Sequence, residues 1–414
     1  MLTAGPAATP DVREHNRALV LADIRAHTPT SRGEAAARTG LARGSLTTIV
    51  PELVEMGLVR EETAPATGVG RPRTTLELDG TGFAILCTEV RADGIVLESV
   101  DLAGRSLRGA SEARPRSTSP GDLASTIAAL VMAELERLAE VQAVCAALTI
   151  VMPAPLFGDR PVVMMSTDFG WDDAVDLISL VAGLVDLPAE RIRIVNDAAM
   201  AGVAEYRALR RTSGEPLTLF YLKADTGVGG ALISDGEVFR GGKGLGVEPG
   251  HVCIRPGGRS CACGRRGCLV AEAGPDAMLR MAGLDGRAEE IGLAGAVDEM
   301  FERVAADEPE ARTALSSVCR DLRSFTNDIA LLFDPDQIVL GGFWARALEL
   351  FAEDFAWDMY VPPLLAGSRE RAPAGAFVAA ARLGDRSARL GAIDYTLQLL
   401  SGRPSRLGEL RRAD

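Results

Sequence analysis

The 414-residue sequence predicts an α/β protein that begins with a small helical module and continues as two larger α/β lobes. The length exceeds what one hydrophobic core organises, so we expect about two to four structural units. Residues 16–78 have the pattern of three short helices followed by two strands. From Phe83 onward, strand-like runs alternate with helical runs, which is typical of a mixed sheet covered by helices.

The composition narrows the class of protein. Apolar residues make up 47% and charged residues 24% of the chain, an ordinary globular usage that excludes a fibre or a disordered chain. No run approaches the ~18 apolar residues that cross a bilayer, and Met1–Pro10 lacks the features of a signal peptide. We therefore expect a cytoplasmic protein without membrane contact.

The net charge of −13 argues against nucleic-acid binding by the surface as a whole. A local basic face can still exist within an acidic chain. Residues 25–50 carry four arginines against the single acid Glu34, which gives this segment a net charge of +3. The arginines are Arg25, Arg32, Arg38 and Arg43.

The helical module is predicted element by element. Residues 16–27 form a first amphipathic helix. Ser31 caps a second helix over 32–39, with Glu34 at the capping-box position. The third segment, 41–56, keeps apolar residues on one stripe and polar residues on the other face, as the recognition helix of a helix-turn-helix does.

Two short strands, 58–61 and 74–78, complete a wing around a loop that contains Gly70-Arg71-Pro72-Arg73. A recognition helix fits the major groove, and arginines on a narrow loop can enter an A·T-rich minor groove. We expect double-stranded DNA as the partner, although a helical module that docks a protein gives the same pattern. The candidate DNA contacts are Ser31, Arg32, Arg43, Ser45, Thr47, Thr48, Arg71 and Arg73.

The remaining chain divides into two lobes and a tail. Strand-like runs and a helix near 123–139 form the first lobe, and a second strand-rich region begins at Leu217 before helices dominate. The predicted domains are residues 1–79, the winged module; 80–198, the first lobe, completed by a carboxyl-terminal helix at 385–402; 199–384, the second lobe; and 403–414, a flexible tail.

Three of the seven cysteines lie within eight positions, close after a histidine. One imidazole and three thiolates make a tetrahedral structural zinc set with no open coordination position. There are two alternatives to this zinc site. The cysteines can be free thiols beside a coincidental histidine, or Cys253 can be a competing ligand. The predicted zinc ligands are His251, Cys261, Cys263 and Cys268.

Several motifs together resemble the ROK family of repressors, sugar kinases and open reading frames. They are Glu248-Pro249-Gly250-His251 with CACGRRGC after it, the segment SRGEAAARTGLARGSL, Val195–Ala198, Asp225–Gly230, and Phe333-Asp334-Pro335 leading to Leu340-Gly341-Gly342. The resemblance covers nearly the whole chain. It implies a winged helix-turn-helix followed by a two-lobed actin-like, sugar-kinase-like (ribonuclease H-like) domain.

The resemblance also implies a sugar pocket in which Asp197 matches the general base of the family's kinases. Two departures affect this pocket: Val270 replaces an expected glutamate, for which Glu272 is the nearest substitute, and Asp168 replaces an expected asparagine. A lost carboxylate forfeits about 1.5–3 kcal/mol of charged hydrogen bonding. The implied ligand-binding residues are Asp168, Asn196, Asp197, Glu248 and His251.

A further departure concerns the phosphate loop. Family kinases carry D-x-G-G-T there, whose glycines let backbone N–H groups approach the anion. The matching residues here, 89–93, lack both glycines and the threonine, and Asp93 adds negative charge, so we expect poor ATP binding. The second glycine loop, Thr226–Gly230, is kept, and a tight turn alone is enough to require its glycines.

These features predict a regulator, expected to be a repressor, without kinase activity. We expect a homodimer or homotetramer on a pseudo-palindromic operator, with a sugar or sugar-derived effector and structural zinc. One alternative is an ATP-dependent sugar kinase with an added DNA-binding domain. Another is a zinc-stapled interaction protein controlled by a docking partner.

Overall fold

The structure is a computed structural model of the chain. It describes residues 9–63, 74–91, 93–113, 118–158, 160–164, 166, 169–214, 217–351 and 378–413.

The amino-terminal module is a winged helix-turn-helix. Its elements are α1 (Thr9–Ala26), α2 (Arg32–Thr39), α3 (Arg43–Glu55), β1 (Val59–Thr63) and β2 (Thr74–Leu78), with β1 antiparallel to β2. The predicted capping box of α2 is present, because Ser31 Oγ accepts from the Glu34 N–H and the Glu34 carboxylate accepts from the Ser31 N–H. The apolar stripe of α3 is buried; it comprises Leu46, Ile49, Val50 and Leu53.

The first lobe is built on a five-stranded mixed sheet with the strand order β5-β4-β3-β6-β9. Strands β3, β4 and β5 are antiparallel neighbours, while β6 runs parallel to both β3 and β9. Helices α4 and α5 cover one face. The elements are β3 (Phe83–Val90), β4 (Gly94–Asp101), β5 (Ser106–Ala113), α4 (Pro120–Glu140), β6 (Val144–Met152), β7 (Leu156–Phe157), β8 (Val162–Val163), α5 (Leu177–Ala182) and β9 (Ile192–Asn196).

The second lobe repeats this plan with the strand order β12-β11-β10-β13-β14. Helices α7 to α11 pack around a separate apolar core on one face of this sheet, and α6 packs on the other face. Its elements are α6 (Asp197–Ser213), β10 (Thr218–Ala224), β11 (Val228–Ser234), β12 (Glu237–Val238), α7 (Leu269–Ala273), α8 (Pro275–Met281), α9 (Arg287–Ala305), α10 (Pro309–Phe333), β13 (Gln337–Gly342), α11 (Phe343–Phe351) and β14 (Val378–Ala380).

Two helices lie between the sheets. Helix α12 (Ser387–Ser401), close to the predicted span of 385–402, packs on β3 and β6, while α6 packs on β10 and β11. The two helices approach so closely that a Cβ at Gly391 would come within 1.8 Å of the Met200 carbonyl oxygen. Because one continuous core links both helices to both sheets, the exact lobe boundaries stay a prediction.

The expectation of a flexible tail over 403–414 is wrong for its described part. Pro404–Ala413 forms helix α13, in which Leu407 is 1% exposed and belongs to the core shared with the winged module. The Ser405 N–H donates to Glu14 Oε1 of α1 at 3.0 Å. The arginines of this segment suggest solvent, but its leucines recur at helical spacing and meet the winged module.

None of the helices in the described ranges combines the length and the hydropathy that a bilayer crossing demands.

Candidate ligand cavity, zinc site and DNA-binding surface

A cavity of about 960 Å³ opens beyond the carboxyl ends of β6, β9 and β10. Ligands of open α/β sheets commonly bind at such strand ends. The cavity lining includes four residues that the resemblance implies as sugar ligands: Asn196, Asp197, Glu248 and His251. Their role in binding stays a prediction, and Asp168 lies outside the described residues.

The junction between β9 and α6 orients the first two of these side chains. Asn196 is the N-cap of α6, and its Oδ1 accepts from the Ala199 N–H at 2.9 Å. Its Nδ2 donates to the Ala154 carbonyl at 3.1 Å, which fixes the amide. Asp197 follows as the first helical residue, and its Oδ1 accepts from the Ala198 N–H at 2.7 Å. The helix dipole favours a carboxylate at this position.

The sequence pattern does not single out Lys223, yet its side chain lines the cavity between two acids. Its Nζ is 2.7 Å from Asp197 Oδ2 and 2.6 Å from Asp225 Oδ2, and its side chain is 13% exposed. Burial lowers the pKa of Lys223, but the charges of Asp197 and Asp225 outweigh this effect and raise it well above its ordinary value. The cavity floor therefore carries a fixed ammonium.

Glu248 and His251 approach from the short 3-10 turn at Pro249–His251. Burial, and secondarily the charge of Asp197, raise the pKa of the Glu248 carboxyl to about 7. Near neutral pH this group exists partly as the acid. It can therefore donate a hydrogen bond to a hydroxyl oxygen when protonated and accept one from a hydroxyl when ionised. Burial, followed by the charge of Arg265, lowers the pKa of His251.

The zinc set predicted from sequence converges in space. The ligand atoms of His251, Cys261, Cys263 and Cys268 all lie within 4.8 Å of one another. The Cys263 and Cys268 sulfurs are 3.7 Å apart, as are Cys261 Sγ and His251 Nδ1. A tetrahedron with zinc–sulfur bonds of about 2.3 Å has edges of about 3.8 Å. Two of the ligand pairs are thus at the spacing of a zinc tetrahedron, and the four side chains are close enough together to hold a zinc ion.

The competing ligand is not part of this group. Cys253 is exposed, and its thiol donates to the Arg266 carbonyl oxygen at 3.4 Å. Burial raises the pKa of the Cys263 thiol, but hydrogen bonds, led by that of the Arg265 N–H, bring it down to about 7. The low pKa favours the thiolate form of Cys263, which zinc requires, whereas burial raises the pKa of the Cys268 thiol to about 12, so that this ligand would lose its proton on binding the metal.

Glu272, the nearest substitute for the glutamate lost at Val270, does not line the cavity. Its side chain is 1% exposed and accepts from Arg255 Nη1 at 2.8 Å and from the Arg259 N–H at 2.6 Å. It therefore braces the loop that carries the cysteines. Val270 itself faces the cavity and offers no hydrogen bond.

The β3–β4 hairpin contains the residues that match the lost phosphate loop. Glu89 is 6% exposed, and its Oε2 lies 2.8 Å from Arg389 Nη1 of α12 and 2.9 Å from Arg91 Nη2. Arg389 also pairs with Glu98 at 2.7 Å. The turn is tight, because the Arg91 N–H donates to the Gly94 carbonyl at 2.8 Å. Ion pairs thus tie this hairpin to α12.

The β10–β11 hairpin keeps its glycines, and two of them are explained by packing. A Cβ at Gly229 would lie 2.9 Å from Ala198 Cβ, and one at Gly230 would lie 2.7 Å from Pro249 Cγ. At Gly227 a Cβ would meet nothing within 4 Å. The retained motif therefore needs no ligand to account for Gly229 and Gly230.

The predicted DNA-binding residues fall into three groups. Arg43, Thr47 and Thr48 are exposed on α3, and Ser45 is half-buried. Ser31 and Arg32 already have partners, Ser31 in the capping box and Arg32 with Glu61 at 2.7 Å. The wing residues Arg71 and Arg73 lie outside the described residues.

The fold and the cavity define a two-lobed, actin-like and sugar-kinase-like protein with an amino-terminal winged helix-turn-helix. The ROK family model matches residues 85–398, and the chain belongs to the ROK family. The resemblance found in the sequence and the predicted fold class are both confirmed.

Two further comparisons place the chain within this family. It is 29% identical over 274 residues to the N-acetylmannosamine kinase of Escherichia fergusonii, covering 65% of this chain and 82% of that protein. The corresponding kinase of Escherichia coli O139:H28 is 28% identical over 277 residues, with the same coverage. The chain thus has kinases among its relatives.

Solved structures share the fold. The crystal structure of a ROK family transcriptional regulator, a homologue of the E. coli MLC protein, superimposes with a TM-score of 0.75 at 19% identity, covering 96% of this chain and 100% of that one. A ROK family glucokinase from Streptomyces griseus, in complex with glucose and AMPPNP, has a TM-score of 0.57 at 24% identity, covering 75% and 98%.

Proposed function

We propose that this protein is a DNA-binding transcriptional regulator of the ROK family without kinase activity, controlled by a sugar or sugar-derived effector in the cavity. The observation that carries the proposal is the β3–β4 hairpin, where Glu89 is buried in ion pairs with Arg389 and Arg91.

A phosphate-binding hairpin needs open backbone N–H groups, and glycines give an anion access to them. Here Arg389 and Arg91 are engaged in ion pairs with the Glu89 carboxylate, so they do not offer their charge to a phosphate. Arg389 cannot turn to a phosphate without leaving its ion pairs with the buried Glu89 and the half-buried Glu98, and breaking such a buried pair costs several kcal/mol. The hairpin therefore argues against a phosphate-binding site in the first lobe.

The winged module supports the regulatory half of the proposal. Arg43, Thr47 and Thr48 form an exposed polar face on α3, and Arg43 has no ion-pair partner among the described residues. Such a face can enter a groove about 12 Å wide and reach base edges. A homodimer would set two such helices against operator half-sites about one helical turn apart, or a multiple of that spacing.

Zinc would have a structural role in this regulator. Four protein ligands leave no position for water, so the ion would staple the loop between His251 and Cys268. With Nδ1 of His251 facing the cysteine sulfurs, Nε2 stays free to contact a ligand hydroxyl. Zinc would thereby couple loop order to effector recognition.

DNA binding is the direct test. Purified full-length protein is incubated with sheared genomic DNA at low salt, and enriched fragments are then measured by electrophoretic shift. Arg43→Ala and Thr48→Ala should each weaken binding to the selected fragment about tenfold or more. The control is Arg320→Ala, an exposed arginine on α10, which should bind as the unmodified protein does.

Absence of any electrophoretic shift at low salt would contradict the proposal.

Effector control is tested on a DNA fragment that the protein binds. A panel of hexoses and N-acetylhexosamines is added to the protein–DNA complex. A sugar that changes affinity for DNA, and whose binding Glu248→Gln weakens, would support effector control, since a ligand shifts the equilibrium only if it binds the two conformations unequally.

A sugar kinase with an added DNA-binding module is the second candidate. It is favoured by the kinase names of the relatives and by the glycines of the β10–β11 hairpin. Sugar-dependent release of ADP would distinguish it from the regulator.

A further inference from the structure

Lys223 is unusual in this chain. The 44 basic residues include only two lysines, Lys223 and Lys243, and all the others are arginines. Lys243 is exposed on the loop after β12, whereas the side chain of Lys223 is 13% exposed within the cavity. The composition of the chain therefore does not explain why an ammonium, rather than a guanidinium, occupies this position.

The geometry around Lys223 gives a reason. Its Nζ contacts Asp197 at the start of α6 and Asp225 in the β10–β11 turn, at 2.7 Å and 2.6 Å. An ammonium is a compact point charge that can bridge two carboxylates from different elements, whereas the planar fork of a guanidinium pairs best with one. Two of its three donors are used, and one is left for a ligand.

Without this ammonium, two carboxylate oxygens would converge on one point that faces the cavity. One or two carboxylates, together with water and substrate phosphates, are the usual ligands of Mg²⁺ in proteins. We infer that Lys223 is a built-in cation that takes the place of a divalent metal ion between Asp197 and Asp225. It thereby restricts the cavity to metal-free hydroxylated ligands.

Both carboxylate oxygens of Asp197 already have partners. Its Oδ1 already accepts from the Ala198 N–H, and its Oδ2 is held by Lys223. To take a proton from a sugar hydroxyl, Asp197 would first have to give up one of these contacts. Asp197 therefore keeps the role of a hydrogen-bond acceptor. The inference deepens the proposed function, on which it rests for the assignment of this cavity to the effector.

Manganese binding tests the inference on the full-length protein with its zinc retained. Free Mn²⁺ is measured by electron paramagnetic resonance during titration of the unmodified protein and of Lys223→Met. The variant should bind Mn²⁺ at the cavity at least about tenfold more tightly than the unmodified protein. Lys243→Met is the matched control and should behave as the unmodified protein does.

The location of the ion is tested by adding Asp225→Asn to Lys223→Met, which should remove the gain. If Lys223→Met does not fold, Lys223→Gln takes its place, because its amide can still donate to the carboxylates. This variant should also bind Mn²⁺ more tightly than the unmodified protein, by a smaller factor. If a folded Lys223 variant binds Mn²⁺ no more tightly than the unmodified protein, the inference is overturned. It is also overturned if the unmodified protein already binds Mn²⁺ tightly and Asp225→Asn abolishes that binding. Absence of DNA binding would instead contradict the proposed function and leave the manganese result unaffected.

Discussion

Each lobe contains one antiparallel hairpin where a kinase of this fold would hold phosphate, and the two hairpins have diverged in different ways. The β3–β4 hairpin lacks both glycines of the kinase motif and is tied to α12 through Glu89 and Arg389. The β10–β11 hairpin has kept its glycines, but Gly229 and Gly230 are required by contacts with Ala198 and Pro249.

The difference separates two reasons for a glycine. A glycine kept for packing persists after its ligand is gone, because any Cβ would collide with a neighbouring element. A glycine kept only for a ligand is free to change once the ligand is no longer bound. The altered hairpin is therefore more informative about function than the preserved one.

The largest expected effect comes from removing the proposed zinc site, whose His251 lies on the turn that packs against the β10–β11 hairpin. Cys268→Ser should lose zinc and more than about 4 kcal/mol of unfolding free energy, because the turn that presses Pro249 on Gly230 is released. Metal analysis and urea unfolding measure both. Cys253→Ser should keep its zinc and its stability, and zinc loss from Cys253→Ser would contradict the assigned ligand set.

The ion pairs of the other hairpin should have the next largest effect. Arg389→Ala leaves Glu89 buried without its main partner and should cost about 3–5 kcal/mol of unfolding free energy. Arg386→Ala, three residues earlier and exposed, should stay within about 0.5 kcal/mol. Equal effects of the two variants in urea unfolding would show that the pair does not hold the hairpin.

The smallest effect distinguishes the glycines of the second hairpin from one another. Gly230→Ala should destabilise the protein by about 1–3 kcal/mol, because its Cβ would meet Pro249 and the Tyr221 carbonyl oxygen. Gly227→Ala should change stability by no more than about 0.5 kcal/mol, since nothing lies within 4 Å. Thermal melting of both variants checks the difference, and a larger loss at Gly227 would reverse the argument.

The features that the sequence predicts correctly depend on short-range chemistry. The capping box of Ser31 and Glu34 and the apolar stripe of α3 follow from neighbours three or four residues apart. The cysteines that converge with His251 lie on one short loop. Fold class was accessible because strand and helix patterns alternate over long stretches.

The features that sequence reasoning missed depend on contacts between distant elements. Lys223 acquires its role only because α6 and the β10–β11 turn bring two acids to it. Glu272 turns to Arg255 because the cysteine loop folds back over α7. Leu407 is buried because the winged module offers an apolar surface to α13, which an arginine-rich segment does not reveal.

The most direct test of the central claim is a coupled assay of ADP release with Mg²⁺ and ATP over a panel of hexoses and N-acetylhexosamines. The account predicts that ADP release by the full-length protein is the same with and without each sugar, because the β3–β4 hairpin offers no phosphate site. Sugar-dependent turnover that Asp197→Asn abolishes would contradict it.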